Sequence, residues 1–553
     1  MSDRREFREL VSPDRAREVL DSLDVDPDSE RVALEAARGR VLAERVDATV
    51  DVPGFDRASM DGYAVRARDT FGADEADPVA LSLAGAVHAG EKPTASVGSG
   101  AAVEVSTGAV MPPGADAVVK VEETTETDGG VAVRTSVAPG DNVMLAGADV
   151  AAGARALGPG TRLTAREIGL LSALGVDEVP VRGKPRVGIV STGDELVRPG
   201  GELDSDAGQI YDVNSYTIAA AVAEAGGDPR VYPHVGDDYD EMERLLVRGA
   251  EECDLVLSSG STSASAVDVV YSVIEERGDL RLHGVAVKPG KPMIVGEVGE
   301  SAYVGLPGYP VSALTIFRAF VAPVVREAAG LPEPETAVVT GRMAVRERYG
   351  EGRRRLMPAG LVADGLTEAD GIVTVPADTD YLAAGESVDV SLFSPEVRPP
   401  RVLCVGEDDP LLSRALDRVD RPRFLPVGTR EGLRRLREGV PDVAVVAGPE
   451  TPDGETVDLG GWTREWGLVV PEGNPASVEG VADLVDRDLR LVNRESGSGL
   501  RASFDAAVDA LADDRDERRH DLTEAIDGYG LAARAYESPA RKVTAGEADA
   551  GLG

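Results

Sequence analysis

The sequence predicts a multidomain α/β and β protein: an open α/β sheet, a β-rich unit ahead of it, a small β domain behind it and a further α/β segment at the end. Three observations carry this. Residues 182–331 alternate continuous apolar strands, such as PRVGIV, CDLVL and SAYVG, with helical stretches. At residue 46 the texture changes from helical patterning to short apolar runs broken by Gly, Pro and Asp. Two proline-bearing linkers, LPEPET and PEVRPPR at 395–401, cut the chain after the sheet and again before the last segment. The expected domains are therefore 1–46 with 148–181, 47–147 as a β-rich insertion, 182–331 as the α/β sheet, 336–397 as a small β domain, and 401–553.

In chain order, SPDRAREVLDSL opens with Ser12 as an N-cap and Pro13 in the first turn of a helix that carries Val19, Leu20 and Leu23 on one face. VALEAARGRVLAE reads as a second helical piece. Short strands follow to about 147, and then TAREIGLLSALG sets Thr164 and Glu167 at capping-box spacing. In the α/β stretch, helices are expected at about 213–225, over DYDEMERLLVRGAEE, over VDVVYSVIEER and from Pro310 to Ala329. AVVTGRMAV, GIVTVPA and SVDVSLF are the strands of the small β domain. From 401 a new βα pattern begins with RVLCVGE, continues through DVAVVAG and LRLVNRESGSGLR, and has helices near 409–419 and from about Arg501.

A formal charge of −40 spread along 553 residues, with six lysines among 58 basic residues and aromatics at 4%, looks like adaptation to high salt. At molar ionic strength the Debye length falls to about 3 Å and such self-repulsion becomes tolerable. No nucleic-acid partner is expected, because affinity for it rests on a clustered basic surface and this chain is strongly acidic. Cys253 and Cys404 lie on apolar runs, as buried thiols do, and the four histidines show no zinc spacing. MSDRREFREL has no apolar h-region and no run approaches the ~18 apolar residues of a membrane span, so a cytoplasmic protein without a membrane partner is expected.

The candidate chemistry falls at strand ends, where ligands of open α/β sheets gather. Two of the six lysines, Lys288 and Lys291, sit three residues apart in VKPGKPM, either as compact charges for an anion or as a basic loop that balances nearby acids. Asp194 and Glu195 follow a strand and a Ser-Thr-Gly turn, as Mg²⁺ ligands at a phosphate site or as caps of a following helix. SSGSTSAS around Ser258 and Gly260 offers hydroxyl and N–H donors to an oxyanion, or is a polar loop. Asp237 and Asp268, near a strand end and a helix start, could ligate metal, hold a sugar hydroxyl or stay solvated. Lysines, carboxylates and hydroxyls on one rim read as transfer chemistry on a phosphorylated anion with Mg²⁺ neutralising charge. No Ser-His-Asp or Cys-His set is legible.

DVPGFDRASMDGYAV (51–65), STGAVMPPGADAVV (106–119), STGDEL (191–196), GQIYDVNS (208–215), VKPGKPM (287–293) and GLPGYPVSAL (305–314) together resemble the molybdopterin molybdenumtransferase family, the gephyrin-related molybdenum insertases, over roughly residues 5–395. The resemblance implies a molybdopterin-binding type of α/β sheet, insertion of molybdate or tungstate into adenylylated molybdopterin with Mg²⁺ and release of AMP, and a homodimer whose cleft lies between subunits. By position it implies cleft roles for Asp61, Thr107 and Asp149, for Glu195, Asp237, Asp268, Lys288, Lys291, Pro307 and Pro310, and an anion contact for Arg353. Lys288, Lys291, Asp61, Asp149 and Asp268 are the expected catalytic set. The chain departs from the family pattern at SGSTSASA, which lacks a glycine and an acid, and at Tyr309 of GLPGYP, where the family has asparagine.

VVPEGNP, NRESGSGLR and GEADAGLG resemble the periplasmic-binding-protein-like domain fused to some archaeal insertases, with GSGLR either binding an anion or turning the chain. That last domain is expected to be cut short at Gly553. A non-catalytic scaffold and an oxyanion sensor are the rival functions. Retention of Lys288, Lys291, Glu195 and Asp268 speaks against the first, and the absence of a basic DNA-binding helix against a transcriptional form of the second.

Overall fold

The computed structural model describes residues 10–236, 238–260, 264–350, 352–360, 369–397, 400–452, 455–463, 465–533 and 537–553, and only the backbone of 264–269. The chain forms two compact units, Met1–Val285 with Gly290–Glu333, and Ala286–Pro289 with Pro334–Gly553.

In the first unit, Ser12 accepts the Arg15 N–H at 3.1 Å and starts the helix Pro13–Asp21, which buries Ala16, Val19 and Leu20. VALEAARGRVLAE is not helical. Glu30–Ala33 pairs antiparallel with Glu178–Val181 and a single 3-10 turn, Leu34–Ala36, follows. Tertiary pairing overrides helix propensity here: Leu42, Leu163, Leu171, Val179 and Val181 form one core, and Gly39 at φ 82° breaks the turn.

The six-stranded sheet of the β-rich part runs in the order Ala117–Lys120, Gly62–Val65, Ala101–Val105, Val79–Val87, Gly130–Val133, Thr124–Thr127. Successive side chains serve opposite faces, so Tyr63 and Val65 enter one core and Ala64 another.

The helix Ala165–Ala173 begins with the expected capping box. The Glu167 carboxylate accepts the Thr164 N–H at 3.0 Å and the Thr164 hydroxyl, while Thr164 Oγ1 accepts the Arg166 N–H at 3.4 Å. The Thr164 hydroxyl first and the Arg166 side chain second hold the Glu167 carboxyl at about 2 against its ordinary 4.5. A lowered folded value stabilises above the ordinary value, so this contribution is complete above about pH 4.5 and fades as pH falls towards 2. Thr164→Ala should cost about 1 kcal/mol and speed amide exchange in this helix roughly fivefold, with unchanged exchange as the contrary outcome.

The α/β sheet has the order Asp228–Val231, Arg186–Ser191, Leu255–Ser259, Ser301–Leu306, Ile294–Val298, Gly278–His283. The first four strands are parallel, and Ile294–Val298 runs against both its neighbours. The chain steps one way from Arg186–Ser191 and then returns to the other side of it, which puts a topological switch point between that strand and Leu255–Ser259. The helix expected over Pro310–Ala329 is there in three pieces, Pro310–Ile316, a π-helical turn Phe317–Val321 and Ala322–Ala328. Pro323 has no N–H to give to the preceding turn, and the wider π turn absorbs its ring.

In the second unit a five-stranded sheet has the order Val287–Lys288, Arg354–Ala359, Gly371–Val375, Ser387–Leu392, Val338–Arg342. Val287–Lys288, expected as part of the α/β domain, thus belongs to a different sheet, because it supplies the partner that the Arg354–Ala359 edge lacks. The last segment holds two smaller sheets. One is parallel, Pro422–Pro426, Val402–Gly406, Val443–Val445. The other runs Leu468–Val469, Ala550–Leu552, Leu491–Arg494, Ala532–Ala533, with Ala550–Leu552 buried and paired on both sides. Phe504, Val508, Leu522 and Leu491 pack the core of the second.

Candidate functional site

Glycines bring three loops together at the switch point. Thr192 bridges Val235, and Gly193 donates its N–H to the Val235 carbonyl at 2.9 Å. A Cβ on Gly193 would lie 2.5 Å from Glu195 Oε2, one on Gly236 1.8 Å from Asp194 Oδ1, and one on Gly260 2.3 Å from the Thr192 carbonyl. Any larger residue would displace a carboxylate or the backbone beside it. Asp194 and Glu195 are both exposed here and lead into the short strand Leu196–Val197. They cap no helix, which removes that alternative.

Beneath this rim lies a polar network that sequence reasoning did not assign. Ser191 Oγ donates to Asp212 Oδ1 at 3.1 Å and lies 2.8 Å from Ser215 Oγ, while the Ser215 N–H donates to the same Asp212 oxygen at 3.0 Å. Asn214 Nδ2 donates to Ser259 Oγ and to the Gly308 carbonyl, both at 2.7 Å. Ser259 Oγ in turn donates to the Pro307 carbonyl at 3.3 Å. The motif GQIYDVNS therefore ties the ends of three parallel strands to one helix start. Asp212, Asn214 and Ser215 are the residues of that motif that make the network.

Gly260 and Pro307 stand on this rim, and Pro310 opens the following helix. Ser258, expected to contact substrate, is fully buried with its Oγ 2.5 Å from Tyr303 OH, so its hydroxyl braces the strand instead. Tyr309 is 69% exposed at the N-cap position. Lys291 is exposed and precedes Ile294, which pairs with Gly305 near the carboxyl end of its strand, so Lys291 stands on the same rim. Lys288 belongs to the second unit, half-buried and in register with Arg355. Lys288 and Lys291, three residues apart, fall in different units. Arg353, half-buried, directly precedes the strand that pairs with Lys288. Asp237 lies outside the described residues, as does the side chain of Asp268, whose backbone is in the helix Ala264–Arg277.

The other motif segments assemble in the β-rich part. Asp61 Oδ1 accepts the Thr107 N–H at 2.6 Å and the Thr107 hydroxyl at 3.0 Å, with the backbone bond the stronger of two effects that hold its carboxyl below the ordinary 3.8. Asp61 is therefore an anion through mildly acidic pH. Asp149, also exposed, donates its N–H to the Val52 carbonyl at 2.9 Å. Asp56 accepts the Ala146 N–H at 2.8 Å and gives its carbonyl to Met111. Residues 51–61, 106–111 and 142–150 thus form one connected surface, on which Phe55, Met60 and Leu145 are exposed.

Among the described residues no group of three or more His, Cys, Asp or Glu could hold a metal ion alone. Asp194 and Glu195 are two adjacent carboxylates exposed on this rim.

A β-rich insertion ahead of an open α/β sheet with a polar switch-point rim is the architecture of a protein that takes its ligand at the strand ends of that sheet. The MoeA N-terminal region (domain I and II) matches residues 11–175, a probable molybdopterin binding domain matches 188–327, and the PBP superfamily domain matches 414–553. The molybdopterin molybdenumtransferase 2 of Mycobacterium tuberculosis is 38% identical over 384 residues, 65% of this chain and 94% of that protein. The molybdopterin molybdenumtransferase of Nostoc is 36% identical over 356 residues, 63% of this chain and 81% of that protein. Two crystal structures of the molybdopterin biosynthesis MoeA protein from Pyrococcus horikoshii align at TM-scores 0.62 and 0.58, with 38% and 32% identity, each over 70% of this chain and 100% of that chain. The chain belongs to the molybdopterin molybdenumtransferase family, and its function is molybdenum cofactor biosynthesis.

Proposed function

We propose that this transferase inserts molybdate or tungstate into adenylylated molybdopterin and releases AMP, as a Mg²⁺-dependent homodimer in a salty cytoplasm. The observation that carries this reading is the meeting of the Gly193, Gly236 and Gly260 loops, which places two exposed carboxylates beside strand-end backbone. Asp194 and Glu195 would hold Mg²⁺, which when bound neutralises phosphate charge. Lys291 holds the oxyanion or a phosphate oxygen as a point charge. Asn214 and Ser259 fix the loops that border the pterin, and Asp61 and Asp149 give the cleft its anionic wall. The charge of −40 supports the high-salt setting, and among the described residues no helix is long and apolar enough to cross a membrane.

Incubation with adenylylated molybdopterin, each oxyanion and Mg²⁺ should release AMP and leave metal in the pterin, and the reading fails if neither oxyanion gives both. Glu195→Gln should raise the Mg²⁺ concentration at half-maximal AMP release by at least about tenfold. An unchanged Mg²⁺ dependence would remove Glu195 from the metal site.

A further inference from the structure

The C-terminal domain contains a buried carboxylate that the transfer reaction does not use. Glu407 follows the strand Val402–Gly406 and is 7% exposed. Its Oε1 accepts from Ser498 Oγ at 2.6 Å. Its Oε2 accepts from Thr429 Oγ1 at 2.9 Å, the Thr429 N–H at 3.1 Å and the Gly499 N–H at 2.8 Å. Glu407 and Thr429 belong to the lobe built on the three-stranded sheet, whereas Ser498 and Gly499 belong to the lobe built on the four-stranded one. The carboxylate therefore bridges the two lobes.

The lobes also touch backbone to backbone around it. A Cβ on Gly428 would lie 2.7 Å from the Gly497 carbonyl, one on Gly448 2.3 Å from that of Gly499, and one on Gly499 2.0 Å from that of Ala447. The Arg430 N–H donates to the Gly497 carbonyl at 3.0 Å. A tie between lobes does not need a buried charge, and an unmatched one would be strongly destabilising. Here two hydroxyls and two N–H groups from opposite lobes satisfy it with charge-assisted bonds. That donor set suits a small oxyanion, and a carboxyl group is seated in it.

We propose that the cleft between these lobes is an oxyanion-class site that the chain fills with its own Glu407 carboxylate. The side chain latches the lobes shut, and an external oxyanion enters only when Glu407 swings out. The cleft's affinity is thus reduced by the fraction of molecules in which the latch is open.

Trp462 and Trp466 are the only tryptophans of the chain, and Trp462 Nε1 lies 3.4 Å from Asp409 Oδ2, two residues from Glu407. Their emission reports this domain and not the transferase body. Full-length protein titrated with molybdate, tungstate, phosphate and sulfate should show saturable binding in Glu407→Ala at least about tenfold tighter than in wild type for one of them. Ser498→Ala keeps the carboxylate but removes one donor from the far lobe, and should speed amide exchange at 428–430 and 497–500 at least about fivefold even if Glu407→Ala does not fold. The proposal is overturned if wild type and Glu407→Ala bind alike, if folded Glu407→Ala binds none of the four, or if Ser498→Ala leaves that exchange unchanged.

Discussion

Lys291→Ala should lower single-turnover AMP release by about two to three orders of magnitude, the usual cost of losing one preorganised charge donor at a reacting oxyanion. Lys291 is exposed just after Gly290, at φ 115°, and its carbonyl is held by the Val285 N–H at 3.1 Å. The backbone of the turn is thus fixed and the ammonium projects from a defined place on the rim. A chain that uses arginine for almost all its positive charge keeps lysine here, which points to a need for a compact charge. Lys291→Arg should accordingly recover only part of the loss, since the guanidinium is longer and flatter. If Lys291→Ala releases AMP at the wild-type rate, the oxyanion is held elsewhere.

The α/β sheet was legible because its strands are continuous apolar runs and its helices carry clear stripes, as in Tyr239–Glu252, which buries Met242, Leu245 and Leu246. The capping box at Thr164 was legible because it is purely local. What escaped depends on distant partners. Glu30–Ala33 has helical composition but pairs with residues almost 150 positions away. Thr429–Arg437 buries Thr429, Gly432 and Leu433 on one face, but with Leu433 and Leu436 as its only large apolar residues TREGLRRLR reads locally as a charged loop. Nothing local shows that Val287–Lys288 pairs with Arg354–Arg355, in a sheet other than the one that follows Lys291. The rim network was half legible: GQIYDVNS was visible as a motif, but nothing local shows that Asp212 faces Ser191 and that Asn214 reaches Gly308. GSGLR was open between an anion site and a turn, and the fold shows Ser498 serving both the helix start and a carboxylate that lies 91 residues earlier.

Asp61→Ala and Lys291→Ala chains, each inactive alone, should regain about a quarter of wild-type activity when mixed in equal amounts and allowed to exchange subunits. The estimate follows from symmetry: with random exchange about half the dimers are hybrids, and each hybrid has one of its two clefts intact. Asp61 is held by Thr107 in the β-rich sheet, whereas Lys291 stands on the α/β rim. Phe55 and Met60, 44% and 45% exposed beside Asp61, are large apolar side chains in a chain with few aromatics. Scattered apolar exposure is ordinary, but side chains of this size on the motif-bearing surface suit a contact that a second copy covers. If each cleft takes Asp61 from one subunit and Lys291 from the other, a hybrid concentrates both defects in one cleft and spares its neighbour. If both residues come from the same subunit, every cleft in every hybrid carries one defect and the mixture stays inactive. Subunit exchange is verified independently by native mass spectrometry of differently tagged chains, so an inactive mixture with proven hybrids rules out the shared cleft.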